Sequence, residues 1–282
     1  MISLVDCHAH LHDPGFDQDR PEVLARAARA GVELIVTSGT DLGASAAAVA
    51  LAEHEPSVWA TVGIHPHEAS ASLTGDLERL EALAASERVV AIGEIGLDYH
   101  YEHSAREEQR QRFEQQLLLS DELSLPVVVH SRDAEADTFK ILSAWSSRRS
   151  ATGVALPYGL MHCYSYGPGR AAAYVSLGLL LSVPGIVTYP KASEVQQAAA
   201  SIDLDWLVVE SDCPYLTPQS RRGRRNEPAL VVETATRVSA LRSMSLEDLS
   251  ACTTANARRL FHLPEQSPSL HVPGDRPGQV PP

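Results

Sequence analysis

Cysteine is scarce in this chain. Four occur in 282 residues (Cys7, Cys163, Cys213, Cys252), none in CxxC spacing, so neither a disulfide framework nor a zinc ribbon is expected. Long apolar runs are missing too: none reaches the ~18 residues of a membrane span. The opening MISLVDCHAH lacks the basic region of a signal peptide, and a cytoplasmic protein without membrane attachment is the expectation. Basic side chains are in deficit, 23 against 36 acidic, for a formal charge of −13. That field repels a polyanion at long range, which argues against a protein that wraps nucleic acid. It leaves room for an enzyme that grips a strand end locally, because bound cations reverse the field inside a site. Several catalytic signatures are absent as well. No GxSxG elbow, HExxH helix, GxxxxGK[ST] loop or dinucleotide fingerprint occurs, which argues against serine hydrolases, zinc proteases and nucleotide-fold enzymes.

What is present is alternation. Strand-like apolar runs fall at residues 2–5, 34–38, 58–63, 89–93, 126–130, 159–162, 178–182 and 206–210. Helix-like stretches lie between them at 21–30, 42–53, 77–85, 106–123, 134–145, 169–176 and 191–200, with two more at 227–241 and 246–261. Strand–helix units repeated in this way close most simply into a single-domain α/β (β/α)8 barrel of the TIM type. An open doubly wound sheet would alternate similarly, but its strand ends are too spread for the residues discussed next to meet. Ser104–Glu107 and Ser245–Asp248 read as capping boxes. Six of the residues from 264 to 282 are proline, so the barrel is assigned to 1–263 and a disordered Pro/Gly-rich tail to 264–282.

The chemistry-bearing residues sit at the ends of the apolar runs. His8 and His10, spaced by one, place both imidazoles on one strand face, where both can hold one ion. Alternation then puts Cys7 on the opposite face, as a small buried hydrophobe. His12 and Asp13 follow closely, and one of them could reach the same pocket. Glu94, flanked by Gly93 and Gly96, has two oxygens able to bridge cations roughly 3.5–4 Å apart; the bland reading is a salt bridge to Arg132. Asp98 is expected to support the ligands. His130 and His162 complete a second N/O set with Glu94, of a kind suited to zinc, manganese or magnesium. Asp212 could hold an ion and accept a proton from water, or merely cap a helix before Pro214. His65, before the rigid Pro66, is assigned to substrate contact. Arg221–Arg225 carries four arginines, of which Arg222 and Arg225 are candidates for phosphate contact; a solvated charge run is the alternative. Asn226 and Glu227 are candidate caps for the following helix.

The segments VDCHAHLHD, GIHPH, GEIGLDY, PVVVHSRDA, HCYS, ESDCPYLTP, RRGRRNEP and NARRLF run in order from residue 4 to 261. As a series they resemble the TatD-type metal-dependent hydrolases, a branch of the amidohydrolase-like barrels. The resemblance implies a deoxyribonuclease, 3′ exonuclease-like, working with two divalent metal ions (Mg2+, Mn2+ or Zn2+). It implies that His8, His10, Glu94 and Asp212 hold one ion and that Glu94, His130 and His162 hold the other. Glu94 and Asp212 would be catalytic, and His65 would touch the substrate phosphate. The chain departs from the family pattern at His12, Val183-Pro184, Tyr164 and Ser211. None of these removes an implied ligand, and the change at Pro184 could alter the floor of the substrate cleft and leaves polymer preference open. A nucleic-acid end is thus the expected partner, and a monomer the expected state. Two rivals stand beside this reading: a two-metal hydrolase of a small amide, ester or phosphoester, and a non-catalytic metal-bound interaction protein using the proline-rich tail.

Overall fold

Eight short strands, almost wholly apolar, form the centre of the molecule. In the computed structural model, which describes residues 2–73 and 75–265, they are Leu4–Ala9 (β1), Val32–Ser38 (β2), Val58–Val62 (β3), Val89–Asp98 (β4), Val127–Arg132 (β5), Gly159–Met161 (β6), Leu179–Val183 (β7) and Leu207–Val209 (β8). Strands covered on both faces need no polar alternation, which is why they read as continuous Val/Ile/Leu runs. Neighbours pair in parallel in the order β1 to β8. The connecting helices are Arg20–Arg29 (α1), Leu42–His54 (α2), Asp76–Ala84 (α3), Arg106–Glu122 (α4), Glu135–Ala151 (α5), Pro168–Ser176 (α6) and Ser193–Ser201 (α7). Val231–Leu241 (α8) and Leu246–Phe261 (α9) follow β8. The expected (β/α)8 barrel is what the chain forms. From residue 266 onward the expected tail lies outside the described residues.

The ring closes between β8 and β1 just beyond the end of β8. Asp212 N–H donates to the His8 carbonyl at 2.9 Å, and His10 N–H to the Cys213 carbonyl at 2.7 Å. Deeper in this seam the buried Asp6 carboxyl stands in for a backbone acceptor, taking Ser211 N–H at 2.8 Å and Ser211 Oγ at 2.5 Å. The seam therefore ties both expected ligand loops, of β1 and of β8, to one another.

Two apolar layers hold the barrel. The outer one packs helix side chains such as Val23, Val49, Phe113, Leu117, Trp145 and Val238 against outward-facing strand residues. The inner one takes residues from every strand, among them Val5, Cys7, Leu34, Val128, Leu160, Leu180 and Val208, with Trp59 packed against it. Among the described residues, α9 supplies Ala257, Leu260 and Phe261 to it, so α9 plugs the barrel at the end opposite the expected ligands. Asn256 fastens this plug by donating to the carbonyls of Leu204 and Leu207 at 2.8 and 2.9 Å. The plug is anchored at its start by Ser245, whose Oγ accepts Asp248 N–H at 3.0 Å and donates to Asp248 Oδ2 at 2.7 Å, the capping pair expected there.

Elsewhere the expectation needs correction. Ser104 does not cap α4, whose N-cap is Ala105 without a side-chain bond. Its hydroxyl is taken instead by the loop after β3, donating to the His67 carbonyl at 2.8 Å and accepting Ser70 N–H at 3.0 Å. Nor do Asn226 and Glu227 cap α8. Glu227 makes no side-chain cap bond, and the Asn226 amide donates to the carbonyls of Ser211 and Tyr215 at 2.7 and 2.6 Å. Among the described residues no helix is long and apolar enough to cross a membrane.

Candidate metal centre

β1 and β4 run well beyond their apolar stretches, and both carry expected ligands. β1 continues through His8 to Ala9, which pairs with Thr37, and β4 continues through Glu94 to Asp98, which pairs with Arg132. Each has a register irregularity at the functional residue, between Asp6 and Ala9 in β1 and between Ile92 and Ile95 in β4. Such bulges re-aim side chains. Cys7 packs in the inner layer, on the same side as His8, whose ring reaches Ser38 of β2. Strict alternation put Cys7 on the opposite face, and the β1 irregularity is the reason it is not. The glycines beside Glu94 are required by close approach. A Cβ on Gly93 would lie 2.6 Å from the Val128 side chain, and one on Gly96, at φ +137°, would lie 2.0 Å from the His130 carbonyl.

Strand ends β1, β3, β4, β5, β6 and β8 deliver their side chains to one buried point. His8 Nε2 lies 3.3 Å from His10 Nε2 and 3.3 Å from Glu94 Oε2. Asp212 Oδ1 is 3.7 Å from His8 Nε2 and 3.5 Å from His10 Nε2, and Glu94 Oε2 is 3.7 Å from His10 Nε2. Four ligands at 2.0–2.2 Å around one ion are separated by edges of about 3.3–3.6 Å. The imidazoles of His8 and His10 thus stand at such edges, 3.3–3.7 Å, from each other and from both carboxylates. The other Glu94 oxygen, Oε1, faces a different set: His130 Nδ1 at 3.0 Å, His162 Nε2 at 3.4 Å and His65 Nε2 at 3.5 Å. One carboxylate thus presents an oxygen to each set, which fits a bridging ligand. Arg132 does not pair with Glu94; its guanidinium lies over the Tyr101 ring at 4.8 Å.

Contacts at the far ring nitrogen divide the histidines into two kinds. A metal-binding imidazole donates its far N–H to an acceptor and keeps a lone pair for the ion. His10 Nδ1 lies 3.0 Å from the Ser38 carbonyl and His8 Nδ1 3.1 Å from Ser38 Oγ. His130 Nε2 lies 3.1 Å from Asp98 Oδ2, and His162 Nδ1 3.1 Å from Glu210 Oε1. All four leave the other nitrogen facing Glu94 or Asp212. His65 is the reverse: its Nδ1 accepts His67 N–H at 3.1 Å. Neutral His65 then carries its proton on Nε2, the nitrogen facing the centre, and so is a donor there.

The charges are set by burial and by neighbours. Burial pushes Glu94 up, but His162, His65 and His8 outweigh it and hold the carboxyl well below the usual range. Burial alone would lower His162; the carboxylates of Glu210 and Glu94 push it instead up to about 10. His10 and His130 also end above the ordinary value, burial being overcome by the bonds to Asp212 and, for His130, to Asp98 and Glu94. Burial takes His65 down to about 4 and, with the neighbouring His162, lowers His8. Acidic and imidazole groups packed this tightly, and mostly buried, form a donor set that a cation would satisfy.

Glu210, which no sequence motif singles out, lies beside the candidate centre. It is fully buried; Oε1 accepts Cys163 N–H at 2.8 Å and contacts His162, while Oε2 has no partner. The N–H of His162 points off the line to Oε1 despite the short separation, so the pair is held by charge more than by aligned hydrogen bonding. Glu210→Gln removes that charge at constant shape. It is expected to lower cation affinity and kcat/KM by about 10- to 100-fold, read by metal titration beside kinetics; unchanged affinity would remove Glu210 from the centre.

Other expected residues lie outside the cluster. His12 contacts Thr37 Oγ1 at 3.2 Å, and Asp13 caps the short turn after β1 by accepting Gly15 N–H at 2.6 Å. Arg225 is engaged by Asp19 at 2.7 Å, by the Gly15 carbonyl and by the face of Phe16, and so ties the β8 loop to the β1 loop. Arg222 lies over the Tyr189 ring at 5.1 Å.

The profile of the family described as TatD related DNase matches residues 5–262. A relative from Bacillus subtilis, named uncharacterized metal-dependent hydrolase YabD, is 37% identical over 260 residues, 92% of this chain and 99% of its own. A protein of Cronobacter sakazakii named 3'-5' ssDNA/RNA exonuclease TatD is 36% identical, over 92% of this chain and 97% of its own. Among solved structures, YJJV, a TatD homolog from Escherichia coli, superposes with a TM-score of 0.86 at 30% identity, covering 93% of this chain and 98% of that one.

Proposed function

The chain belongs to the TatD family of metal-dependent hydrolases, and from that premise we propose that it cleaves phosphodiester bonds at the end of a nucleic-acid strand, with a pair of divalent cations shared through Glu94. The observation that carries this reading is the division of the two Glu94 oxygens between two histidine sets. When bound, Mg2+, Mn2+ or Zn2+ would supply Lewis acidity toward the phosphoryl group and toward water. The remaining roles fall to the chain's own residues. His8, His10 and Asp212 would hold one cation with Glu94, and His130 and His162 would hold the other. Asp212, ionised and facing the same point, accepts the proton that leaves the attacking water. His65 donates from Nε2 to a phosphoryl oxygen, as its tautomer allows. Arg222 grips the strand, while Arg225, already bound to Asp19, fixes the loop that carries it.

A strand end suits the charge balance better than a long duplex. The formal charge of −13 disfavours extended contact with a polyanion, whereas cations held at the centre would reverse the field locally for one phosphate. With Mg2+ or Mn2+ the protein is expected to release mononucleotides progressively from one end of a single-stranded oligonucleotide, and chelation to stop it. Turnover of amide or ester substrates in the absence of any nucleotide release would replace this reading by the small-substrate alternative. Absence of all hydrolysis in the metal-loaded protein would favour a binding role.

A further inference from the structure

Most aromatic side chains in this protein are covered. Among the described residues, Tyr215 and Tyr101 are the two exposed ones, at 56% and 52% of their surface, and both stand at the mouth of the metal centre. Tyr215 follows Asp212 on the β8 loop, and its ring lies 5.8 Å from that of His10. Tyr101 follows Asp98 on the β4 loop, and its ring lies 5.7 Å from that of His67. From Tyr215 the rings continue through His10 to His8 at 4.9 Å, and from Tyr101 through His67 to His65 at 4.4 Å. The exposed tyrosines therefore end two rows of rings that meet at Glu94 from opposite rims.

Neither tyrosine is on a loose loop. Tyr215 N–H donates to the Asp212 carbonyl at 2.9 Å, and its carbonyl accepts from the fully buried Asn226 at 2.6 Å. Tyr101 N–H donates to Asp98 Oδ1 at 3.0 Å, and its ring is backed by the Arg132 guanidinium at 4.8 Å and by His103, nearly parallel at 5.7 Å. These anchors resemble those of a rigid platform: the backbone is fixed by the same carboxylate-bearing loops that position the expected ligands, and about half of each side chain is left exposed.

We infer that Tyr215 and Tyr101 form base-stacking subsites on either side of the scissile phosphate and restrict the centre to unpaired strand ends. The inference rests on the nuclease reading above and adds to it which residues select the strand. Every base offers a π-face, so such a platform tolerates sequence, but a base paired within a duplex cannot leave its stack to use it. Tyr215, with a single ring neighbour among the described residues, is the more open platform; Tyr101 is pre-stacked and extends an existing column.

The test compares the wild type with Tyr215→Ala, Tyr215→Phe and Tyr101→Ala, all metal-loaded. Substrates are a single-stranded oligonucleotide, the same strand with an abasic terminal nucleotide, and the matching blunt duplex. Y215A is expected to raise KM on the natural single strand about tenfold while kcat changes little, Y215F to behave as wild type, and Y101A to give a smaller loss of the same kind. On the abasic strand the wild type already shows the loss, and Y215A adds nothing to it. Binding of a strand with terminal 2-aminopurine and a cleavage-resistant phosphorothioate end gives a readout without turnover: fluorescence is quenched by wild type and Y215F and not by Y215A. Equal losses on natural and abasic strands, or normal quenching by Y215A, overturn the subsite while leaving the nuclease reading intact. A wild type that hydrolyses none of the oligonucleotides overturns the nuclease reading and the subsite with it.

Discussion

Glu94→Gln is expected to abolish turnover and to loosen both cation sites together. Each Glu94 oxygen serves a different histidine set, Oε2 with His8 at 3.3 Å and Oε1 with His130 at 3.0 Å. Replacing the carboxylate by an amide leaves one face with a poor neutral oxygen and the other with an N–H pointed at imidazole lone pairs. Several kcal/mol of transition-state charge stabilisation depend on properly held ions, so kcat/KM is expected to fall at least about a thousandfold. The informative comparison is with His130→Ala, which touches one set only. Metal analysis after dialysis should show loss of both ions from E94Q and loss of one from H130A. Retention of a full complement by E94Q would mean that the bridge assigned to Glu94 does not exist.

The barrel was readable because strands buried on both faces write themselves as apolar runs, and the ligands follow those runs. The limits of the reading are equally physical. Continuous apolar runs end where the site begins, so the extensions of β1 through His8 and β4 through Asp98 leave no such run: Asp6, His8, Glu94 and Asp98 interrupt them, and pairing with β2 and β5 makes them strand. Bulges shift the alternation that placed Cys7, and no residue type marks them. Glu210 did carry a signal. It lies two residues before Asp212, the strand period that puts both on one face. Ser104 and Arg225 illustrate the opposite error. Each has a local motif with a plausible local role, and each is claimed by a distant partner, the β3 loop and Asp19 respectively, that the motif could not reveal.

Asp212→Asn separates holding a cation from moving a proton. Asp212 sits at φ +54°, a left-handed conformation that Asp and Asn tolerate better than other side chains, so the amide is the replacement least likely to disturb the β8 loop. Asn keeps an oxygen toward His8 and His10 but cannot accept a proton. Loss of a general base costs typically 10²- to 10⁴-fold, and we expect kcat to fall within about that range, with KM little changed. If Asp212 served only as a ligand, excess Mn2+ would restore the rate; as a base, it would leave the deficit in place at full cation occupancy. The pH profile provides the second axis. Burial would raise the Asp212 carboxyl, but the His10 bond and the charges of His162 and His8 lower it overall, so it stays ionised at neutral pH and sets no limb there. His162, at about 10 without a cation, must lose its proton for an ion to bind, so cation affinity rises with pH, by about tenfold per unit for each proton released. The acid limb of activity at limiting Mn2+ therefore belongs to the imidazoles and should persist in D212N beneath a lowered plateau. A D212N profile whose plateau matches wild type at saturating Mn2+ would take the proton-accepting role away from Asp212.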